Sequence, residues 1–416
     1  MQLKTILNHV EWHKSFVYGE AKWSEAKGVR EIEIPVEPRK NGRPICSGCR
    51  QPTPGYDQSP TPRRFEFVPL WGIAVFLVYH MRRVQCQNCG VKVEQVPWCD
   101  GKNQLTTTYR WFLAAWAKRL SWREVASTFG TCWQSVFRSV RHAVFWGIVH
   151  VNWSGIKSIG IDEIQWQKGH RYLTLVYQID EGQKRLLWIG KERTKDTLEK
   201  FFRLLGDKAQ DLEFVCSDMW QPYLDVISKR ADSAIHVLDR YHVMAKMNKA
   251  IDEVRASEAK QLKADGYEPI LKHTRWCFLK RAEHLTDKQT VTLSEVLQYN
   301  LRTVRAYLQK VEFQRFWEYK SAYWAGQFLD EWCRRAMRSR IEPMQKVARM
   351  LQSHRELLLN WFRAKGTISA GVVEGLNNKV KLTMRKSYGF RTKNAVEIAL
   401  YHNLAKLPEP EFTHKF

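Results

Sequence analysis

Two groups of side chains in this sequence have the types and spacing of working chemistry. The first is sulfur: "CSGC" at Cys46 and Cys49, and "CQNC" at Cys86 and Cys89. Each Cys-x-x-Cys knuckle presents two thiolates on a tight turn, and two knuckles complete the tetrahedron of one structural Zn²⁺. Gly48 and Gly90 supply the backbone freedom that such turns need. A redox dithiol or a chance pairing is the alternative, but two knuckles are far more specific than one. Between them, "RRFEFVPLWGIAVFLVYHMRRVQ" reads as two β-strands, predicting a zinc ribbon whose hairpin arms are strands. Arg82 and Arg83 stand beside the second knuckle, where they could touch phosphate. The other five cysteines are scattered and read as small buried hydrophobes.

The second group is oxygen. Asp162 follows the apolar "SIGI" and Asp218 follows the apolar "FVCS". Carboxylates at the ends of buried strands cost desolvation unless they are paired or metal-bound. Each either caps a turn or helix, or the two share divalent metal. Strand alternation puts Glu163 on the face opposite Asp162, whose own face carries the small Ser158 and Gly160, leaving room for an ion. A third acid, Glu374, is the single carboxylate of "SAGVVEGLNNKVKLTMRKSYGF". Ser369 is a plausible N-cap there, and Glu374, Asn378 and Lys381 fall at i, i+4 and i+7 on one helical face. On periodicity alone, Glu374 is either a stray surface acid or a metal ligand beside groups that grip a phosphodiester.

These residues need elements to hold them. Residues 104–150 have helical periodicity, and their middle reads as a helix-turn-helix. Ser121 and Glu124 form a capping box, Gly130 makes the turn, and Thr131 or Ser135 starts the second helix. That helix would carry Gln134, Arg138 and Arg141 toward DNA; a plain helical bundle is the alternative. From 156 to 240, three hairpin-type strands precede alternating helix and strand, which specifies a mixed α/β sheet. From about 241 to 365 the pattern is helical and charged, and the terminal "LPEPEFTHKF" reads as frayed.

Composition narrows the partners. Lys+Arg 67 against Asp+Glu 43 gives +24, a charge that favours polyanions through phosphate neutralisation. No apolar run approaches the roughly 20 residues of a bilayer span, and the N-terminus lacks a signal-peptide pattern. The expectation is a cytoplasmic, nucleoid-associated protein that binds double-stranded DNA and has no membrane partner.

"GIDEIQWQKGHRY", "VCSDMWQPY", "DRYHVMAKMNKAIDEVR" and "SAGVVEGLNNKVKLTMRKSYGFR", in that order behind two knuckles, resemble the ISL-three family of bacterial insertion-sequence transposases. The resemblance covers about 40 to 400 and implies DDE-class chemistry. It implies a ribonuclease-H-like catalytic core, two Mg²⁺ (or Mn²⁺) ions, and cleavage and joining of DNA at transposon ends. It assigns Asp162, Asp218 and Glu374 as the acidic triad, with Asp162 bridging both ions. Lys381, Arg385 and Arg391 would hold the DNA end. Asp239 and His242 resemble a D-x-x-H signature whose role is either catalytic or supporting. The implied organisation is an N-terminal region 1–100 with a zinc ribbon over about 40–100, and a helix-turn-helix-like domain 101–152. A first part of the core at 153–245 follows, then a helical insertion 246–345, the second part of the core 346–400 and a tail 401–416. Paired DNA ends imply a homodimer or higher oligomer on DNA. Two rivals are a non-catalytic DNA-binding regulator, which would often have lost one of the acids, and a nuclease that cuts without joining.

Overall fold

The computed structural model describes residues 2–26, 28–169, 171–364, 370–387 and 390–411. Ser369, the expected N-cap, lies outside the described residues. The chain divides into two units, Met1–Val151 with Thr383–Phe416, and Asn152–Leu382.

The first unit begins with α1 (Leu3–Val10), β1 (Phe16–Tyr18), β2 (Lys22–Ala26) and β3 (Val29–Pro38). Next come β4 (Gly55–Gln58), β5 (Arg63–Leu70), β6 (Ile73–Tyr79), β7 (Arg82–Cys86) and β8 (Gly90–Val93). A five-stranded sheet runs β1-β3-β6-β5, with β2 also on β3, and a separate three-stranded sheet runs β4-β7-β8. Of the strands between the knuckles, β4 and β7 therefore belong to the ribbon's own sheet, while β5 and β6 do not serve as its arms. β5 and β6 join the N-terminal strands, β6 pairing in parallel with β3 from Ile32↔Val75 to Pro35↔Val78. Their inward Phe65, Val75, Leu77 and Tyr79 close a core with Ile34 and Trp98, a larger apolar surface than a ribbon could cover.

Helices α2 (Thr107–Ala117), α3 (Trp122–Thr128) and α4 (Trp133–His150) follow. The Ser121–Glu124 capping box forms as expected, with both reciprocal hydrogen bonds present. Gly130 turns the chain at φ +63°, a left-handed value suited to glycine. α4 starts after Cys132, not at Thr131 or Ser135. The C-terminal helix Lys393–Leu404, expected with the second sheet, instead packs here, with Ile398 among Tyr109, Leu113, Val136 and Val140. Nor is the chain after it wholly frayed, since Leu407 lies against Gly147, and Lys118 pairs with Glu409.

The second unit holds β9 (Ser158–Gln167), β10 (Arg171–Asp180), β11 (Gln183–Lys191), α5 (Lys195–Leu205), β12 (Phe214–Ser217), α6 (Gln221–Arg230) and β13 (Ile235–Leu238). Strand order is β11-β10-β9-β12-β13. β9, β10 and β11 are antiparallel neighbours, while β12 runs parallel to both β9 and β13. One face is sealed by α5 and α6, whose Leu198, Phe201, Val226 and Ile227 pack on Ile159, Ile161 and Val215. The helices α7 (Arg240–Ala264), α8 (Arg275–Leu279), α9 (Asp287–Leu297), α10 (Arg302–Gln314), α11 (Ala322–Arg338), α12 (Glu342–Ser353) and α13 (Arg355–Arg363) then intervene. They share a core that includes Met247, Ile251, Phe278, Phe313, Trp332 and Leu351. α14 (Ala370–Lys386) follows, and α15 is the Lys393–Leu404 helix already placed.

α14 lies against β9 at Gly160, where a Cβ would stand 2.6 Å from Val373 Cγ2. Such an approach is open only to glycine. Gly160→Ala should therefore cost roughly 1–3 kcal/mol through overpacking, read as a lowered urea midpoint with unchanged slope; an unchanged midpoint would mean that Val373 does not pack there.

Candidate active site and zinc centre

The four knuckle sulfurs lie within 4.8 Å of one another, and Cys49 Sγ and Cys86 Sγ are 3.5 Å apart. Tetrahedral Zn–S bonds of about 2.3 Å place sulfurs about 3.8 Å apart, so the cluster fits one Zn²⁺. β7 ends at Cys86 and β8 begins at Gly90, which positions the second knuckle as their hairpin turn. Gly48 is needed for the approach of the two knuckles, because a Cβ there would lie 2.9 Å from Cys89 Sγ. Cys46 is fully buried and Cys86 nearly so, as suits a structural ion.

The acids are placed by strand register. Parallel pairing sets Phe214 opposite Ser158 and Ser217 opposite Leu238. Adding four residues to the first pair and one to the second puts Asp162, Asp218 and Asp239 in one row across three neighbouring strands. Asp162 is mid-strand, not at a strand end as its apolar run suggested, because β9 continues to Gln167. It is the shorter β12 that stops at Ser217 and opens the sheet beside Asp162. Glu374 enters from α14, exposed, one residue after the Val373 that contacts Gly160.

Each acid of that row has a partner. Asp162 is buried and accepts from the Glu163 amide at 2.7 Å and from the Asn377 side-chain amide. Asn377 in turn accepts from the buried Tyr177 hydroxyl at 2.7 Å. His242 Nε2 lies 3.6 Å from Asp162 and 3.9 Å from Asp239. Burial works against charge on His242, but the facing carboxylates outweigh it and raise its pKa. Asp239 caps α7 by accepting from the Tyr241 amide at 2.8 Å, and burial pushes its pKa up to about 6. Asp218 accepts from the Trp220 amide at 2.9 Å and pairs with Arg193. The same guanidinium lies 3.0 Å from Glu163, whose pKa burial, and then the charge of Asp218, push up to about 8.

Among the described residues, only the cysteines bring three or more ligand atoms within 4.8 Å. The wider spread of Asp162, Asp218 and Glu374 is compatible with two ions about 3.5–4 Å apart, and their all-oxygen donor set suits a hard divalent cation. Asn378 and Lys381 are exposed on α14 as the spacing predicted, and Arg385 and Arg391 are exposed as well. Gln134, Arg138 and Arg141 line an exposed side of α4. Sequence reasoning missed Asn377 and Arg193. Asn377 is three residues from Glu374, so it too had a helical signal; nothing local marks Arg193.

Among the described residues no helix is long and apolar enough to cross a membrane. A family model for DDE-type ISL3 transposases matches residues 159–400. A second, the zinc-finger of transposases IS204/IS1001/IS1096/IS1165, matches residues 42–89. The chain is 29% identical over 374 residues to the transposase for insertion sequence element IS1001 of Bordetella parapertussis, covering 89% of this chain and 90% of that one. It is 28% identical over 395 residues to the transposase for insertion sequence element IS1557 of Mycobacterium tuberculosis, covering 87% and 86%. Among solved structures, the Drosophila P element transposase strand transfer complex aligns with a TM-score of 0.38 and 10% identity, over 73% of this chain and 92% of that one. The first match alone spans more than half of the sequence, and the chain belongs to the ISL3 (ISL-three) family of insertion-sequence transposases, as a DDE-type DNA transposase.

Proposed function

We propose that this transposase binds the terminal inverted repeats of its insertion sequence and catalyses their cleavage and strand transfer by two-metal phosphoryl transfer. The observation that carries the reading is the row of Asp162 and Asp218 on adjacent parallel strands, with Glu374 delivered by a helix seated against the same strand at Gly160. The strand order, third-second-first-fourth-fifth, supports a ribonuclease-H-like core, with α7–α13 read as its helical insertion. In domain terms, residues 153–245 and α14 make the core, 246–345 the bulk of the insertion, and the ribbon and 101–152 are DNA-holding modules.

Asp162, Asp218 and Glu374 would together hold the two Mg²⁺ (or Mn²⁺) ions. When bound, these ions activate water or a 3′-hydroxyl and stabilise the leaving 3′-oxygen. Asn377 orients the Asp162 carboxylate by donating to one of its oxygens. Arg193 orients Asp218, and Asp239 with His242 supports Asp162 from the other side. Gln134, Arg138 and Arg141 contact the DNA from α4, while Asn378, Lys381, Arg385 and Arg391 hold its backbone. Joining two ends calls for a dimer or higher oligomer on DNA, acting in the bacterial cytoplasm where the chromosome lies.

Glu374→Gln should lower Mg²⁺-dependent cleavage of labelled transposon-end DNA roughly 10³-fold or more while end binding stays within about threefold; cleavage retained in Mg²⁺ would remove Glu374 from the metal ligands. Cys46→Ser or Cys86→Ser should release the zinc, measured colorimetrically as a loss of one ion per chain. The same variants should lower the melting temperature, because binding energy at such a site is folding energy. A purified wild-type chain free of zinc with the same melting curve would overturn the structural role.

A further inference from the structure

Beside Glu374, and apart from the row of acids, the second unit contains a cavity of about 850 Å³. Its walls come mostly from α7, α8 and the chain after α8, and they include Arg240, Tyr241, Lys249, Arg275 and Arg281. A smaller cavity of about 70 Å³ adjoins it, sharing Arg240 and Arg281 and adding Lys310. Lys310 is almost fully buried, and its ammonium donates to the Phe278 carbonyl at 2.6 Å and to Asn248 at 3.3 Å. Among the described residues, no carboxylate forms an ion pair with Lys310, Arg240 or Arg281. Arg240 is half-buried, and its pKa is lowered first by that burial and then by the charge of Arg281. Arg240, Arg281 and the buried Lys310 thus gather at one cavity, with the charge of Glu318 acting on Arg240 and with Asp252 and Glu374 elsewhere on the wall, and the surplus of basic side chains favours an anion. Arg240 is also braced, its guanidinium 5.4 Å over the Trp317 ring.

The cavity offers more than charge. Tyr241 is 58% exposed on the cavity wall, and its ring lies perpendicular to that of His242, with centroids 5.5 Å apart. A cavity of this size falls within the range of about 300–1,000 Å³ that encloses small ligands and is too small for a duplex. An exposed aromatic face beside phosphate-binding cations is how unpaired bases are held.

We propose that this cavity binds a single nucleotide of a DNA strand displaced from the duplex next to Glu374, its phosphate on Arg240 and Arg281 and its base stacked on Tyr241. This rests on the reading of the chain as a strand-cutting transposase, and it names where an unpaired nucleotide of that substrate goes.

The test uses the full-length protein with fluorescein-labelled dT12 and with a blunt 20-base-pair duplex, titrated at several salt concentrations. The double variant Arg240→Gln/Arg281→Gln should weaken dT12 binding at least about tenfold. It should lower the slope of log K against log salt by about 0.7, the value for one phosphate contact on a single strand, and change duplex affinity less than threefold. Tyr241→Ala should weaken dT12 at least about fivefold, and Tyr241→Phe should restore it. Unchanged dT12 affinity in both variants, or an equal loss for the blunt duplex, overturns the proposal. So does inorganic phosphate displacing dT12 as effectively as dTMP, which would make this an anion site without base recognition. Glu374→Gln, which removes a carboxylate from the cavity wall, should bind dT12 at least as tightly as the wild type. If that variant still cuts DNA while the pocket variants lose strand binding, the metal assignment fails and the nucleotide site stands.

Discussion

The contact between Gly160 and Val373 governs how near α14 can come to the sheet. A helix normally stands off a strand by the thickness of two side-chain layers. Here one layer is missing on the strand side, and the Val373 methyl occupies the place of a Cβ. One turn further along, Asn377 is then close enough to bond both Asp162 and Tyr177. The helix is held at a packed apolar contact and at a polar bridge, so its rotation about its own axis is determined. Glu374, between them in sequence, has its direction set by these two anchors. A substitution at Gly160 therefore acts on Glu374 without touching it.

Seating the helix so closely creates an electrostatic problem. Asp162 and Asp239 are buried, and Glu163 and Asp218 are largely so. Unpaired carboxylates at such depth would protonate, which is the direction that burial drives Asp239 and Glu163. The chain divides the load between two counter-ions. Arg193 spans Glu163 and Asp218, and its guanidinium lies 4.6 Å over Trp220, which fixes it in one plane. His242 spans Asp162 and Asp239 and gains basicity from them. Asn377 adds a neutral donor where a third cation would compete with metal. Divalent cations would share the same carboxylates, so these pairs keep the acids ordered and ionisable rather than neutralised outright.

What could be read in the sequence was set by how local each signal is. The Ser121–Glu124 capping box and the turn at Gly130 involve residues three to nine apart, and both formed as read. The two knuckles were legible because each is a four-residue motif. β5 and β6 between them were recognised as strands but assigned to the ribbon: β6 pairs with β3 about forty residues away, and apolar alternation does not say which edge a strand joins. Asp162 was read as a strand end because it follows the apolar run; β9 continues to Gln167 because β10 pairs along it. The choice of Asn378 over Asn377 is a difference of 100° on a helix. The i+4 rule puts Asn378 beside Glu374, whereas contact with the sheet selects the buried residue next to it. Register across the parallel strands, which aligns Asp162, Asp218 and Asp239, is wholly tertiary and has no local trace.

The route of the chain adds a constraint of its own. Between Asp239 and Glu374 it leaves the sheet, builds seven helices around a separate apolar core, and returns. Some of those helices pack on neighbours in sequence, α7 on α8 and α11 on α12, which closes cheaply in entropy, while α7 also packs on α10 and α12. Docking α14 on β9 closes a span of more than two hundred residues, from Gly160 to Val373, and so is favourable only once the intervening core has shortened the effective loop. The helical segment is thus a folding prerequisite for the third acid as well as a wall beside it. Its first helix, α7, ties the two roles together: Asp239 caps it, His242 on its first turn faces Asp162, and Arg240 and Tyr241 on that same turn line the cavity beside Glu374. Any motion of that turn would move the acids' counter-ion and the cavity's cations together.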